Sequence, residues 1–220
     1  MKLKMKKVIA IDGPSGSGKT TIAKLIAKEL GFNYLDTGAL YRAAALALKN
    51  NGINIEDSDD RIRDVLNKTN ITFSNGRVFL NGKDISEDIR SKEIDHYSSV
   101  FSARKVVRDF LLHAQRDNAL DSDLVIEGRD TTTVVFPDAK KKIYLDASVK
   151  ERAKRRCLQF REKGIDISMD ESKRNITERD KRDSSRDIAP LKIAPGALLV
   201  DSSNLSIGQV TKKILDFVKV

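Results

Sequence analysis

Short apolar runs alternate along the chain with longer segments of helical periodicity, and this alternation predicts a doubly wound α/β fold. Five runs have the pattern of strands buried on both faces of a parallel sheet. They span residues 8–11, 34–36, 124–127, 142–146 and 197–200. Helices are predicted at residues 21–30, 37–49, 57–66, 86–96, 105–119, 148–163, 170–187 and 206–218. Active groups are expected at the carboxyl ends of the strands.

Residues 71–85 have a different pattern. Two short strand-like segments, 71–73 and 78–80, are each followed by an Asn-Gly pair, which predicts tight turns between antiparallel strands. Such a meander does not belong in the middle of a parallel sheet. We therefore expect an inserted subdomain within a single domain of residues 1–220. The insertion covers approximately residues 40–110, and the core comprises residues 1–39, 120–150 and 188–220.

The segment between the first strand and the first helix carries specific chemistry. Residues 13–20 read G-x-x-x-x-G-K-T, the phosphate-binding P-loop, in the strand–loop–helix context that this motif requires. The loop N–H groups can surround phosphates, Lys19 can reach the outer phosphates, and the Thr20 hydroxyl can hold Mg²⁺. The sequence predicts a P-loop three-layer fold. Its expected ATP site is Gly13, Pro14, Ser15, Gly16, Ser17, Gly18, Lys19, Thr20 and Thr21.

Composition narrows the class of partner. A net charge of +9 fits either a nucleic-acid binder or an enzyme for small polyanions. Aromatic residues make up only 5% of the chain, so stacking platforms for single strands are scarce, and we expect no nucleic-acid partner. Cys157 is the only cysteine, and no apolar segment reaches the length of a membrane span. These features predict a cytoplasmic protein without membrane contact. The sequence contains no feature that demands more than a monomer, so we expect a monomer.

Two arginines follow predicted strands and could bind an acceptor phosphate. Arg42 lies one turn into the helix after the second strand, where Thr37 is expected to cap the helix. Arg129 directly follows the strand at 124–127. Guanidinium groups at these two positions could hold a phosphate in a fork geometry. A surface salt bridge is the alternative for each side chain.

Two basic helices come later in the chain. Helical spacing places Arg152, Arg155 and Arg156 on one face, and Arg179, Asp183 and Arg186 on another. A short connection at residues 164–168 separates the two helices. Residues 150–187 could therefore form a lid that closes over phosphates and excludes water. A solvated hairpin with surface ion pairs is the alternative.

Further motifs accompany the P-loop. They are Leu-Asp-Thr-Gly-Ala-Leu-Tyr-Arg at 35–42, Glu-Gly-Arg-Asp at 127–130, Val-Val-Phe-Pro at 134–137, Arg-Asp-Lys-Arg-Asp at 179–183, Ala-Pro-Leu at 189–191 and Asp-Ser-Ser-Asn-Leu-Ser at 201–206. Over nearly its whole length the chain resembles the bacterial cytidylate kinases, a branch of the nucleoside monophosphate kinases. The P-loop indicates only phosphate binding, whereas the motifs at 35–42 and 179–191 are far more specific.

The resemblance implies transfer of a phosphoryl group from ATP to CMP or dCMP, with Mg²⁺, giving ADP and CDP or dCDP. It implies that Arg42 and Arg129 hold the acceptor phosphate. The residues implied to read the cytosine are Thr37, Arg108, Asp130 and Arg186. Those implied to meet the sugar are Ser99, Arg179 and Asp183, and those implied to face the donor phosphates are Arg155 and Arg156. Lys19, Arg129, Arg155 and Arg156 are the expected catalytic residues.

The chain departs from the family pattern after Asp130. The family often has an aliphatic residue and then glycine, where this chain has Thr131 and Thr132. A positive φ at the second position would strain Thr132. Two other functions stay open: a P-loop kinase for UMP or a cofactor precursor, and a nucleic-acid-binding P-loop ATPase.

Overall fold

A computed structural model describes residues 6–120, 122–162 and 164–219. The strands are β1 Val8–Asp12, β2 Asn33–Asp36, β3 Ile71–Ser74, β4 Arg77–Leu80, β5 Lys83–Asp84, β6 Leu124–Gly128, β7 Lys141–Asp146 and β8 Leu198–Asp201. The α-helices are α1 Lys19–Leu30, α2 Thr37–Asn50, α3 Asp59–Asn67, α4 Lys92–Phe101, α5 Lys105–Asp117, α6 Val149–Arg161, α7 Met169–Ser185 and α8 Ile207–Lys219.

The main sheet is parallel, with the strand order β2-β6-β1-β7-β8. The five strands predicted from apolar runs are the five strands of this sheet, so their positions are confirmed. Strands β1 and β6 are buried throughout, but the edge strands β2 and β8 have exposed residues, so the expected burial of all five strands on both faces was wrong. Alternate residues of β1 pack on opposite faces, Ala10 with α2 and α5 and Ile11 with α1 and α8. The register aligns Asp12 with Gly128 and Asp36 with Glu127, which brings polar residues together at the carboxyl edge.

The predicted meander is also confirmed, as an antiparallel sheet of β3, β4 and β5. Asn75 and Asn81 adopt left-handed conformations with φ of 51°, which asparagine tolerates better than most residues. Apolar residues of this sheet pack in the same cluster as α2 and one face of the main sheet. The insertion therefore shares a core with the rest of the chain, and its boundaries at 40–110 stay a prediction.

Three local predictions were wrong. Residues 86–96 do not form one helix, because Ser91 is extended and its side chain caps α4, leaving only a 3₁₀ turn at Asp88–Arg90. The cap of α2 is Asp36, whose carboxylate accepts a hydrogen bond from the Ala39 N–H. Helix α7 ends at Ser185, so Arg186 has an extended backbone and does not share a helical face with Asp183.

Candidate active site

A cleft of about 570 Å³ opens at the carboxyl edge of the main sheet. Its walls come from the P-loop, the start of α2, helix α4, the segment after β6, and helices α6 and α7. This size is within the range of small-molecule sites, and the position is where parallel α/β sheets bind ligands. The cleft therefore brings the P-loop together with segments distant in sequence.

The P-loop has the backbone geometry that only glycine permits at its first position. Gly13 has a φ of 154°, and a Cβ built there would lie 2.0 Å from the Leu145 carbonyl oxygen. A side chain at this position would displace the backbone of β7. The close approach keeps the loop tight against the sheet.

Lys19 is the first residue of α1 and is almost completely buried, with 5% exposure. Its Nζ donates hydrogen bonds to the Pro14 carbonyl oxygen at 2.7 Å and to the Ser17 Oγ at 3.3 Å. Burial first, and then the positive charge of Arg129, lowers the pKa of Lys19 to about 7. The lysine thus lies across the loop in a position where added phosphate charge would favour its ammonium form.

Side chains of α6 and α7 form hydrogen bonds with the backbone of the P-loop. Arg152 is buried and donates to the Ser15 carbonyl oxygen at 2.9 Å and to the Asp180 carboxylate at 2.5 Å. Asp180 in turn accepts a hydrogen bond from the Ser15 N–H at 3.2 Å. Arg155 donates to the Ser17 carbonyl oxygen at 3.2 Å and to the Ser202 carbonyl oxygen at 2.8 Å. The predicted lid is therefore attached to the P-loop in this conformation.

Glu127, near the end of β6, places a buried carboxylate beside the start of α1. It accepts a hydrogen bond from the Tyr34 hydroxyl at 2.8 Å, and the Thr20 hydroxyl also lies against it. Burial raises the pKa of Glu127, and Asp36 adds to this shift, while Lys19 opposes it. The Glu127 backbone carbonyl accepts from the Thr37 hydroxyl at 2.8 Å. Oxygen atoms of Thr20 and Glu127 thus come together at the P-loop.

Asp12 ends β1 and is completely buried. One carboxylate oxygen accepts from the Thr131 N–H and hydroxyl at 2.9 and 2.7 Å, and the other accepts from the Thr132 N–H and hydroxyl at 2.8 and 2.6 Å. Burial raises the pKa of Asp12, whereas these hydrogen bonds favour its ionised form. Thr131 and Thr132 therefore tie the segment after Asp130 to the strand before the P-loop.

The strain considered for Thr132 is not present. In the described part of the chain, the non-glycine residues with positive φ are Asn75, Asn81 and Ala189. Thr132 instead belongs to a single π-helical turn at Thr131–Val135. This turn directs the N–H groups and hydroxyls of both threonines toward Asp12, which explains how the segment accommodates them.

A buried network of carboxylates and guanidinium groups fills one end of the cleft. Arg108 donates to the Asp130 carboxylate and to the Ser102 carbonyl oxygen, the latter at 3.0 Å. Arg186 lies 3.7 Å from Asp130 and 3.8 Å from Asp183. Arg129 donates to Asp183 at 3.1 Å. Five of the residues predicted for acceptor binding thus meet in one cluster of alternating charge.

A second cluster forms around Asp95 on α4. Arg42, Arg156 and Arg179 all lie within 4 Å of its carboxylate. Arg42 also contacts Asp36 at 3.1 Å. This cluster brings together arginines that the sequence assigned to the acceptor phosphate, the donor phosphates and the sugar.

Three of the predicted site residues do not line the cleft within the described parts of the chain: Gly13, Pro14 and Ser99. Ser99 is buried on α4, and its Oγ has no hydrogen-bond partner among the described residues. Ser98 and Ser102 line the cleft instead. Helix α4 thus presents a neighbouring serine to the site.

The residues predicted to be catalytic or to bind nucleotide did not include five charged residues that the structure places at or behind the cleft: Asp12, Asp95, Glu127, Arg152 and Asp180. Asp12 and Glu127 could have been identified from the sequence, because each is a carboxylate at the end of a buried strand. Arg152 shares a helical face with Arg155 and Arg156, as predicted. Asp95 had no comparable signal, because its significance depends on three helices distant in sequence.

Comparison with solved structures agrees with this architecture. A shikimate kinase from Bacteroides thetaiotaomicron superposes with a TM-score of 0.50, covering 97% of this chain and 99% of its own at 11% identity. At that identity the likeness concerns the fold alone. The parallel sheet, the P-loop and the arginine-rich cleft define the class of small-molecule P-loop kinases.

Sequence comparison identifies the branch. The family model described as "Cytidylate kinase" matches residues 9–220. A cytidylate kinase from Thermosipho melanesiensis is 51% identical over 96% of both chains. Another from Thermodesulfovibrio yellowstonii is 51% identical over 96% of this chain and 97% of its own. The chain belongs to the cytidylate kinase family, which confirms the resemblance found in its motifs.

Proposed function

We propose that the protein transfers the γ-phosphoryl group of ATP to CMP or dCMP, giving ADP and CDP or dCDP. The observation that carries the proposal is the buried Asp130 carboxylate beside the guanidinium groups of Arg108 and Arg186, in the same cleft as the P-loop. Family membership supports the same reaction.

The chemistry of this cluster matches cytosine. Cytosine presents an N4 amino donor where uracil presents an O4 acceptor, and an N3 acceptor where uracil has a donor. An ionised carboxylate can only accept hydrogen bonds, so Asp130 suits the amino group. Arginine only donates, so Arg108 and Arg186 suit N3 and O2. Thr37, whose hydroxyl is nearby at the end of β6, would complete the base site.

Phosphate binding would use the remaining arginines. We assign the acceptor phosphate to Arg42 and Arg129, and the sugar to Arg179 and Asp183. Because Ser98 lines the cleft and Ser99 does not, Ser98 is the serine of α4 that would meet the sugar.

The donor site would be formed by the P-loop residues 13–21, with Arg155 and Arg156 above it. Lys19 would release its contact with the Pro14 carbonyl oxygen and bind the outer phosphates as a point charge. Arg129 and the α6 arginines would stabilise charge on the migrating group. Closing residues 150–187 over both nucleotides would exclude water, which would otherwise accept the phosphoryl group.

Mg²⁺ fits the same end of the cleft, because the Thr20 hydroxyl and the Glu127 carboxylate supply the oxygen ligands that this ion prefers. When bound with ATP it would neutralise charge on the β- and γ-phosphates. In the described residues no group of three or more His, Cys, Asp and Glu side chains could hold a metal by itself. That is compatible with an ion held mainly by substrate phosphates.

A substrate panel tests the proposal. The protein would be incubated with ATP and each of CMP, dCMP, UMP, AMP and GMP, and in parallel with ATP and RNA. We expect efficient phosphorylation of CMP or dCMP and no stimulation of ATP hydrolysis by RNA. A preference for UMP or for another acceptor would overturn the base assignment, and RNA-stimulated hydrolysis would favour a nucleic-acid-dependent ATPase.

No helix in the described residues is both long and apolar enough to cross a membrane. The cytoplasmic location and the monomeric state stay predictions from the sequence.

A further inference from the structure

Asp95 is a carboxylate inside a group of three arginines, two of which, Arg42 and Arg156, bind phosphate in the proposed function. Its Oδ2 lies 2.5 Å from a guanidinium nitrogen of Arg156, and its Oδ1 lies 3.6 Å from Arg179 and 3.9 Å from Arg42. The three arginines come from α6, α7 and α2, while Asp95 comes from α4. One carboxylate therefore occupies the point where three helices present positive charge.

The environment keeps this carboxylate ionised. Burial alone would raise the pKa of Asp95, but Arg179, Arg156 and Arg42 together hold it below its usual range. Its side chain retains 23% exposure and lines the cleft, so it is accessible to a ligand. The group is thus a fixed negative charge in a site for anionic substrates.

The geometry of these contacts resembles that of a bound oxyanion, since carboxylate and phosphate oxygens offer arginine the same acceptor chemistry. A phosphate that reaches Arg42 or Arg156 must share or replace the contact with Asp95. Even if the carboxylate remains in place, it repels an incoming phosphate at short range. Both effects weaken nucleotide binding in the ground state.

We propose that Asp95 competes with nucleotide phosphates for Arg42 and Arg156, and thereby sets the affinity of the cleft and promotes release of the products. This inference rests on the proposed function, because it takes these two arginines as phosphate ligands. Asp95 acts through the arginines and contacts no reacting atom, so it is a positioning residue and not a catalytic one.

A simple structural role makes the opposite prediction. If Asp95 only orients the arginines or joins α4 to α6 and α7, its removal leaves them mispositioned, and phosphate binding weakens. Competition instead predicts that binding becomes tighter once the carboxylate charge is removed. The sign of the change in affinity separates the two roles.

The test is the variant Asp95→Asn, with Glu93→Gln as the matched control. Glu93 is on the same helix and carries the same charge, but it is exposed and pairs with Lys49 outside the cleft. Binding of CMP and of inorganic pyrophosphate would be measured by calorimetry at low salt, followed by steady-state kinetics. Asp95→Ser would provide a second neutral variant, and circular dichroism would verify that each variant is folded.

We expect Asp95→Asn to bind both ligands about three-fold or more tightly, with an effect that shrinks as salt screens the charges. KM for CMP should fall, inhibition by CDP should strengthen, and kcat should fall because products leave more slowly. Glu93→Gln should match the wild type. Unchanged or weaker binding in folded Asp95→Asn and Asp95→Ser would overturn the inference. Failure of the wild type to phosphorylate CMP would overturn the proposed function instead, while the pyrophosphate titration would still report on the competition.

Discussion

Thr132 donates two hydrogen bonds to the same carboxylate oxygen of Asp12, from its backbone N–H at 2.8 Å and from its hydroxyl at 2.6 Å. Asp12 directly precedes the P-loop, and Thr132 follows Asp130 by two residues. The contact therefore couples the proposed donor site to the proposed base-reading segment. Thr131 makes the matching pair of bonds to the other oxygen of the carboxylate.

Replacing Thr132 with valine keeps the shape of the side chain and removes the hydroxyl. Hydrogen bonds to charged groups contribute about 1.5–3 kcal/mol, so Thr132→Val should lower the free energy of unfolding by roughly that amount. It should also lower kcat/KM for CMP, because the segment with Arg129 and Asp130 loses one of the hydrogen bonds that position it. Denaturant unfolding and steady-state kinetics measure the two effects. Thr132→Ser retains the hydroxyl and should preserve most of the stability and most of kcat/KM. Equal losses in Thr132→Val and Thr132→Ser would contradict this prediction.

Changing Asp130 to asparagine should alter the choice between CMP and UMP. The amide can donate to the uracil O4, whereas the carboxylate can only accept, so the ratio of kcat/KM for CMP to that for UMP should fall by roughly tenfold or more. The ratio is its own control, because damage to folding or to phosphate transfer lowers both values together. If the ratio stays constant, Asp130 serves only to neutralise Arg108 and Arg186.

Binding of a nucleoside triphosphate near neutral pH should take up a proton at Lys19. Burial and Arg129 lower the pKa of Lys19, so a fraction of the lysine is neutral at pH 7.5, and phosphate charge beside it raises the pKa again. Calorimetry in two buffers of different ionisation enthalpy measures the uptake. Lys19→Arg provides the comparison, because its guanidinium stays protonated at this pH. The same uptake in both proteins would assign the proton to another group.

The insertion expected at residues 40–110 and the lid expected at residues 150–187 should both respond to ligand. A bisubstrate analogue that joins adenosine to cytidine should slow amide hydrogen exchange in residues 40–110 and 150–187, because closure is required to exclude water. The buried strands β1 and β6 serve as an internal reference, since they are already protected. Unchanged amide hydrogen exchange in residues 150–187 would show that α6 and α7 do not close over the nucleotides.

Lys19→Ala should reduce turnover on the order of a hundredfold or more, since a charge on the outer phosphates is lost in the transition state. The fold should change little, because the glycine geometry of the loop does not depend on this side chain. Single-turnover kinetics on the folded variant measure the loss. Near-normal turnover would contradict the assignment of the P-loop to the catalytic site.

Local signals explain which parts of the molecule could be predicted from the sequence. The positions of the five parallel strands, the P-loop and the Asn-Gly turns each depend on residues close together in the chain, and all of them are found in the structure. The helix expected at 86–96 was wrong because the side chain of Ser91 caps a later helix start. The contact of Asp12 with Thr132 could not be predicted, since it arises from the pairing of β1 with β6. The position of Asp95 likewise depends on how three helices pack.

The attachment of Arg152 and Asp180 to the P-loop constrains how this chain could be recombined with its relatives. A cassette exchange of residues 148–187 would transfer both side chains together and leave their partner, the backbone of Ser15, in the recipient. Such a chimera keeps the attachment because the recipient supplies main-chain atoms and no particular side chain. An exchange that cuts between α6 and α7 could separate the arginine from its aspartate and leave a buried guanidinium without its counter-charge. Residues 148–187 are therefore exchanged best as one segment, because only then do Arg152 and Asp180 keep both each other and the backbone of Ser15 as partners.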